Sequence, residues 1–100
     1  MKNLRDPKRK PTHPGELLRE DVLPALKMSQ SELARRLGVS RLSVSELLLE
    51  KRAMSPDMAV RIARFTKTAP DSWLRMQAAV DLWELERDPT RYRHIEPVAA

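Results

Sequence analysis

The segment from Ser29 to Lys51 carries local signals for two short helices joined by a tight turn. Ser29 is followed three residues later by a glutamate, the spacing of a capping box, in which the two side chains satisfy each other's free backbone amides. Gly38 can adopt the left-handed conformation that ends a helix, and Ser40 is a favourable cap for the next helix. The pattern predicts two helices whose direction changes at the glycine.

Apolar residues at helical spacing indicate that these two helices pack against each other. The predicted buried positions are Leu33, Ala34 and Leu37 in the first helix and Val44, Leu47 and Leu48 in the second. The alanine is small at the point where the helices must approach closely. This arrangement is typical of a helix-turn-helix, whose second helix enters the DNA major groove, about 12 Å wide. The alternative is an ordinary helical hairpin.

The outward face of the second helix carries the side chains that are predicted to contact bases. Arg41, near the N-terminus of that helix, is placed to donate two hydrogen bonds to a guanine. Leu42 is placed to contact a thymine methyl group, while Ser43 and Ser45 can reach a phosphate or a base edge. Glu46 allows two interpretations, since it either accepts a hydrogen bond from a cytosine amino group or repels the phosphates.

Further residues around this face are predicted to complete the DNA-binding surface. They are Gln30 and Arg35 on the first helix, the capping residue Ser40, and Lys51 and Arg52 after the second helix. The last two are interpreted as nonspecific phosphate contacts, which position a protein on DNA without reading its sequence. Arg36 is interpreted instead as part of an exposed helix face.

Three other segments carry helix signals, and none alternates polar and apolar residues as a strand would. Pro14 begins a first helix, which Pro24 is predicted to kink or end. Pro56 begins a fourth helix, and Pro70 begins a fifth that reaches about Glu86. The sequence predicts an all-α fold of five helices, with residues 1–12 as a flexible basic arm, 13–86 as the helix-turn-helix domain with a C-terminal dimerisation helix, and 87–100 as a tail.

The fifth helix carries two apolar stripes, although one is enough for burial in a monomer. The first stripe is Trp73, Met76, Val80 and Trp83, and the second is Leu74, Ala78, Leu82 and Leu85. One stripe is expected to pack on the core and the other to form a two-fold dimer seam. The residues alone leave open which stripe does which, and we take the first as the seam. In the alternative, both tryptophans belong to the core of a monomer.

The net charge of +5 is concentrated near the predicted DNA contacts. Residues 1–11 sum to +4 and residues 29–52 to +2, whereas residues 53–100 sum to zero. Such an excess fits DNA, RNA or an anionic membrane as a partner. The chain has no cysteine and no apolar run near the roughly 20 residues that span a bilayer. We therefore expect a cytoplasmic protein.

Nothing in the sequence predicts an enzyme. The two histidines, His13 and His94, lack the spacing of metal ligands, no glycine-rich loop is present, and no serine has an evident base partner. The first of these histidines lies at a helix start, where a structural role is expected. We therefore expect no catalytic residue, metal ion or cofactor.

Over residues 12–85 the sequence resembles the HigA/VapI antitoxins, a branch of the Xre-type helix-turn-helix family. The segments that carry the resemblance are residues 13–18, 23–26, 29–34, 37–41, 46–48, 51–52, 56–59, 73–77 and 81–83. The opening His-Pro-Gly-Glu and the later Trp-Leu-x-x-Gln are together specific to this branch. The central segment alone is shared by many phage-type repressors. The resemblance implies a lambda-repressor-like fold of five helices.

The same resemblance implies a function. It implies operator binding as a dimer on an inverted repeat, repression of the protein's own operon, and neutralisation of a HigB-like toxin similar to RelE-type ribonucleases, which cut mRNA on the ribosome. Two alternatives remain open: sequestering a toxin is the main role and DNA contact is secondary, or the protein is a stand-alone repressor without a toxin. Residues 1–12 and 87–100 are the candidate toxin contacts.

The sequence departs from the family pattern at three turns. Glycine is usual where Lys27, Glu50 and Lys67 stand in this chain. Either the turns are reshaped or they tolerate the strain of a left-handed residue with a side chain, roughly 1 kcal/mol or more. Ala69 replaces the usual serine cap. Glu50 also brings a negative charge near the DNA backbone, and we expect this charge to weaken DNA binding.

Overall fold

The computed structural model describes residues 9–99, and within them the chain forms five helices and no strand. The bounds are residues 14–26 for α1, Gln30–Leu37 for α2, Arg41–Leu48 for α3, Pro56–Thr66 for α4 and Pro70–Glu86 for α5. The predicted all-α fold of five helices is therefore confirmed. None of these five helices has both the length and the apolar character needed to cross a bilayer.

Helix α1 passes through Pro24 and ends only at Leu26. Between two α-helical turns lies one π-helical turn, Leu18–Val22, in which the Leu23 N–H donates to the Leu18 carbonyl five residues back. A proline inside an α-helix lacks an N–H, and its ring collides with the carbonyl four residues earlier. The wider turn accommodates the ring without breaking the helix. Of the two outcomes predicted for the proline, the helix end is therefore wrong.

Side chains from all five helices form one core. All six residues predicted to be buried between α2 and α3 are buried, and Val44 and Leu47 are only 1% and 2% exposed. They join Leu18 from α1, Ile62 from α4 and Trp73 from α5 in a single cluster. The core therefore holds α3 by one face and leaves its other face outward.

Three helices are followed by a left-handed residue that is not glycine. Lys27, Glu50 and Lys67 have φ angles of 51°, 62° and 58°. The turns are therefore not reshaped, and the fold tolerates a conformation that costs about 1–2 kcal/mol per residue. Ala69, the cap of α5, makes no side-chain hydrogen bond to the helix, unlike the serine caps of α2, α3 and α4.

The stripe of α5 that the sequence assigned to the dimer seam lies partly in the core of the monomer. Trp73 and Val80 are buried within the chain itself, and the Trp73 Nε1–H donates to the Thr68 hydroxyl at 2.8 Å. The prediction that these two side chains form the dimer seam is therefore wrong, because the monomer already covers them. Met76 and Trp83, from the same stripe, are half-buried.

The second stripe of α5 is open along most of its length. Ala78 and Leu82 are exposed, the latter by 56%, and Leu85 is at the margin of exposure. Leu74, at its beginning, packs against the core cluster. The exposed stripe, residues 78, 82 and 85, is the apolar surface that α5 leaves uncovered.

The predicted arm and tail are partly described. Residues 1–8 of the arm lie outside the described residues. From its remaining part, Lys10 Nζ lies 3.5 Å from the Glu84 carboxylate on α5. Residues 87–99 follow α5 as exposed chain with turns, and the Arg87 guanidinium lies 4.3 Å from the ring centroid of Trp83.

Candidate nucleic-acid interface

The interface is built on the two capped helices α2 and α3. The Ser29 hydroxyl accepts from the Glu32 N–H at 3.1 Å, and the Ser40 hydroxyl accepts from the Ser43 N–H at 3.0 Å. Gly38, between the helices, is left-handed with φ of 71°. Because each helix begins at a side-chain cap and the first ends at a glycine, the chain reverses within a few residues.

Helix α1 presses its first turn directly against the end of α3. A Cβ atom added to Gly15 would lie 1.9 Å from the Leu47 carbonyl oxygen, so only glycine fits there. The His13 ring nitrogen Nδ1 accepts from the Gly15 N–H at 2.9 Å and caps α1. Burial lowers the pKa of His13, which keeps the ring in the neutral form that can accept this bond. These contacts explain the histidine and the glycine of the His-Pro-Gly-Glu opening.

Two arginines from other helices cover the free carbonyls at the ends of α2 and α3. Arg19 Nη1 donates to the Leu48 carbonyl at 2.6 Å and lies 3.4 Å from the Glu50 carboxylate. Arg61 Nη1 donates to the Leu37 carbonyl at 2.8 Å. The negative charge of Glu50 therefore faces the guanidinium of Arg19 as well as the solvent.

The segment between α3 and α4 is tied to α5 by a buried glutamine. Gln77 Oε1 accepts from the Met54 N–H at 2.8 Å, and Gln77 Nε2 donates to the Asp81 carboxylate at 3.0 Å. This is the glutamine of the Trp-Leu-x-x-Gln pattern. Together with the contacts of α1, it fixes the C-terminal end of the segment that carries the predicted DNA contacts.

The predicted base contacts lie on the outward face of α3. Arg41 and Leu42 are exposed, the leucine by 66%. Ser43 and Ser45 are half-buried, since they flank the buried Val44. The Ser43 oxygen accepts from the Ser40 hydroxyl at 2.8 Å, which leaves its own proton free for an acceptor on DNA.

The remaining predicted contacts surround this face, and several are already paired. Arg35 is exposed and forms an ion pair with Glu32 one turn away on α2. Gln30 is half-buried at the first turn of α2, and Lys51 is exposed. Arg52 is also exposed, but its guanidinium contacts Glu46. The ten residues predicted from the sequence thus lie on α2, on α3 with its cap and in the turn that follows, and hydrogen bonds join four of them, Ser40, Ser43, Glu46 and Arg52.

Three residues that hold this surface in place were not identified as such from the sequence. Arg19 and Arg61 contact carbonyls 29 and 24 residues away along the chain. Gln77 was noted only as part of a family pattern. Local spacing carries no signal for such contacts, because they depend on how the helices pack.

The fold and this surface define a helix-turn-helix protein, since a capped helix, a glycine turn and a second helix with an open polar face occur in that order. A family model described as helix-turn-helix matches residues 18–73, which is more than half of the chain. The chain belongs to this family in its Xre-type branch and resembles the HigA antitoxins. The predicted family is therefore confirmed.

Similar proteins include both regulators and antitoxins. The uncharacterized HTH-type transcriptional regulator YbaQ of Escherichia coli K12 is 46% identical over 80 residues, which are 80% of this chain and 71% of the relative. Antitoxin HigA-1 of Vibrio cholerae is 33% identical over 93 residues, which are 93% and 83% of the two chains. The Pseudomonas aeruginosa antitoxin HigA, solved with the higBA promoter, has a TM-score of 0.81 at 35% identity and covers 90% of this chain and 100% of its own.

Proposed function

We propose that this chain is an antitoxin that binds its own operator as a homodimer, represses its toxin–antitoxin operon and neutralises a HigB/RelE-like toxin. The observation that carries the DNA-binding part is the placement of α3. This helix is buried through Val44 and Leu47, while Arg41 and Leu42 project from the opposite face. The similarity to an antitoxin solved with a promoter supports the same function.

The proposed contacts follow from the exposed groups of α3 and its surroundings. Arg41 donates to a guanine, and Leu42 contacts a thymine methyl group. The free proton of the Ser43 hydroxyl serves a base edge or a phosphate. The residues proposed to contact the backbone are Gln30, Arg35, Ser40, Ser45 and Lys51.

A mobility-shift assay with the DNA upstream of the protein's own gene tests the DNA-binding part. Arg41→Ala should abolish the shift at protein concentrations that just saturate the wild type, since a dimer loses one bidentate pair in each half-site and each pair supplies roughly 1–3 kcal/mol of discrimination. Arg64→Ala is the matched control, because Arg64 is also exposed but lies on α4. An Arg41→Ala protein that binds as tightly as the control would contradict the proposal.

The exposed stripe of α5 supports the dimer. Three apolar side chains open to solvent on one helix face are the kind of surface that a second copy covers. A two-fold axis through this stripe would present two α3 helices to an inverted repeat, with half-sites about one helical turn apart.

Toxin neutralisation is supported by the similarity to HigA antitoxins. Residues 1–12 and 87–100 are the proposed contact segments. Co-expression with the product of the adjacent reading frame tests this part: the wild type should restore growth, and Arg41→Ala should restore it equally well. Loss of rescue in that variant would show that the two activities are not separable.

A stand-alone repressor without a toxin is the second candidate function. It is favoured by the 46% identity to a relative named as a transcriptional regulator. An adjacent reading frame that is toxic when expressed alone would exclude it, whereas operator binding without any such frame would support it.

A further inference from the structure

The side chain of Arg52 packs over α3, the proposed recognition helix, although Arg52 follows that helix in the sequence. After α3 the left-handed Glu50 reverses the chain, and the Lys51 N–H donates to the Glu46 carbonyl at 2.8 Å. The Arg52 side chain then reaches back over the helix, where Nη2 donates to Glu46 Oε1 at 2.7 Å and Nη1 donates to Ser43 Oγ at 3.3 Å. The guanidinium therefore lies on the outward face of α3, beside a serine predicted to contact DNA.

The guanidinium keeps donors for DNA in this position. An arginine has five N–H donors, and these two bonds leave three of them without a partner among residues 9–99. Arg52 is also exposed. A guanine needs two donors, for its O6 and N7 atoms in the major groove. Held in one orientation by two bonds, the side chain loses little further conformational freedom when it binds.

Glu46 has a different role here from either sequence-based interpretation. Its Oε1 atom accepts from Arg52, which therefore competes with a cytosine amino group for this carboxylate. The same ion pair balances its negative charge, which reduces repulsion of the phosphates. A carboxylate that neutralises and orients an arginine on a recognition helix is suited to positioning, not to direct contact.

We propose that Arg52 is a specificity-determining residue that reads a guanine in each operator half-site, and that Glu46 is the positioning residue that holds it over α3. This replaces the expectation that Arg52 is a nonspecific phosphate contact. It rests on the proposed function, because it assumes that α3 enters the major groove of an operator.

The experiment measures affinity for the DNA upstream of the gene and for a set of single base-pair substitutions across one half-site. Arg52→Ala should weaken binding to the preferred sequence about 5- to 150-fold for each half-site, the range that one bidentate pair supplies, and so about 25- to 20,000-fold for a dimer that loses both pairs. It should also abolish the preference for G·C at one position while leaving other positions unchanged. Lys51→Ala is the matched control, because it removes the neighbouring exposed cation. It should weaken all sequences equally and reduce the salt slope by about one per protomer.

Glu46→Ala tests the positioning role. It should reduce the preference at the same base pair as Arg52→Ala, and the double variant should be no worse than Arg52→Ala alone. A change at a different base pair, additive with Arg52→Ala, would mean that Glu46 reads a base itself and would overturn this part.

Either of two results would overturn the proposal for Arg52. If Arg52→Ala behaves like Lys51→Ala, with uniform weakening and a lower salt slope, Arg52 is a phosphate contact. If it changes neither affinity nor preference, the ion pair serves only the fold. In both cases the wild type still binds, so the proposed function stands. A wild type that does not bind this DNA overturns both proposals. Thermal unfolding of each variant verifies that the fold is retained.

Discussion

His13 is a buried residue whose protonation state is linked to folding. Its Nδ1 atom accepts from the Gly15 N–H, and burial lowers its pKa. The unfolded chain therefore binds the proton at a higher pH than the folded chain does. Above about pH 6.5, the ordinary pKa of histidine, the contribution to stability is complete. The free energy of unfolding should fall as the pH decreases below that value and level off once the folded-state pKa is passed.

Urea unfolding at a series of pH values between 7.5 and 5 measures this effect. His13→Asn is the control, since asparagine also caps a helix but does not titrate in this range. It should flatten this part of the pH profile. If the profile of the asparagine variant matches that of the wild type, other groups cause the pH dependence.

The two glycines of the chain should respond differently to the same substitution. Gly15→Ala places a Cβ against the backbone of Leu47, which cannot move without shifting α3, so we expect a loss of about 2–3 kcal/mol. Gly38→Ala meets only the flexible end of Arg61, at 3.3 Å, and costs the strain of a left-handed alanine, about 1–2 kcal/mol. Chemical unfolding compares them. Equal losses would contradict the close packing of α1 on α3.

At the scale of single helices, the end of α4 offers a gain in stability. Lys67 is left-handed with φ of 58°, a conformation that glycine adopts without strain. Lys67→Gly should therefore raise the free energy of unfolding by about 1 kcal/mol. Lys67→Ala removes the same charge but keeps the strain, so it should change stability little. A gain of equal size in both variants would attribute it to the lost charge.

The helices differ in how far the sequence could predict them. Both ends of α2 and the start of α3 follow from Ser29, Gly38 and Ser40, whose effects act within one turn. The path of α1 through Pro24 was not predictable in the same way, because a π-helical turn is one of several solutions to the missing N–H. This turn accommodates the ring, and the leucines that bound it, Leu18 and Leu23, both stay in the core.

The two stripes of α5 show where periodicity stops being informative. It identified two apolar faces but could not say which of them meets the core. That depends on packing, and the contact of Trp73 with Thr68 decides it only once the helices are assembled. Arg19 and Arg61 were equally unpredictable, since each acts on a carbonyl far along the chain. The outward face of α3, in contrast, followed from local spacing, because burial of Val44 and Leu47 fixes which side chains project.

For the molecule as a whole, the exposed stripe of α5 gives the proposed dimer a direct test. Leu82→Arg introduces a charge at a side chain that is 56% exposed, so the monomer should fold normally. A seam through this residue would then bury two like charges, and sedimentation at micromolar concentration should show a monomer that binds the operator more weakly.

Val60→Arg is the matched control, because Val60 is 45% exposed on α4. It should leave the oligomeric state unchanged. A wild type that sediments as a clean monomer, or a Leu82→Arg protein that still sediments as a dimer, would show that this stripe is not the seam.

The proposed pairing through α5 has a consequence for how repression responds to dilution of the protein. Occupancy of an inverted repeat then depends on the number of pairs and not on the number of chains. Where pairs are scarce, mass action makes their number vary with the square of the chain concentration. When growth halves the protein without new synthesis, only about a quarter of the pairs remain, so transcription of the operon would resume more abruptly than under a repressor that acts as a single chain.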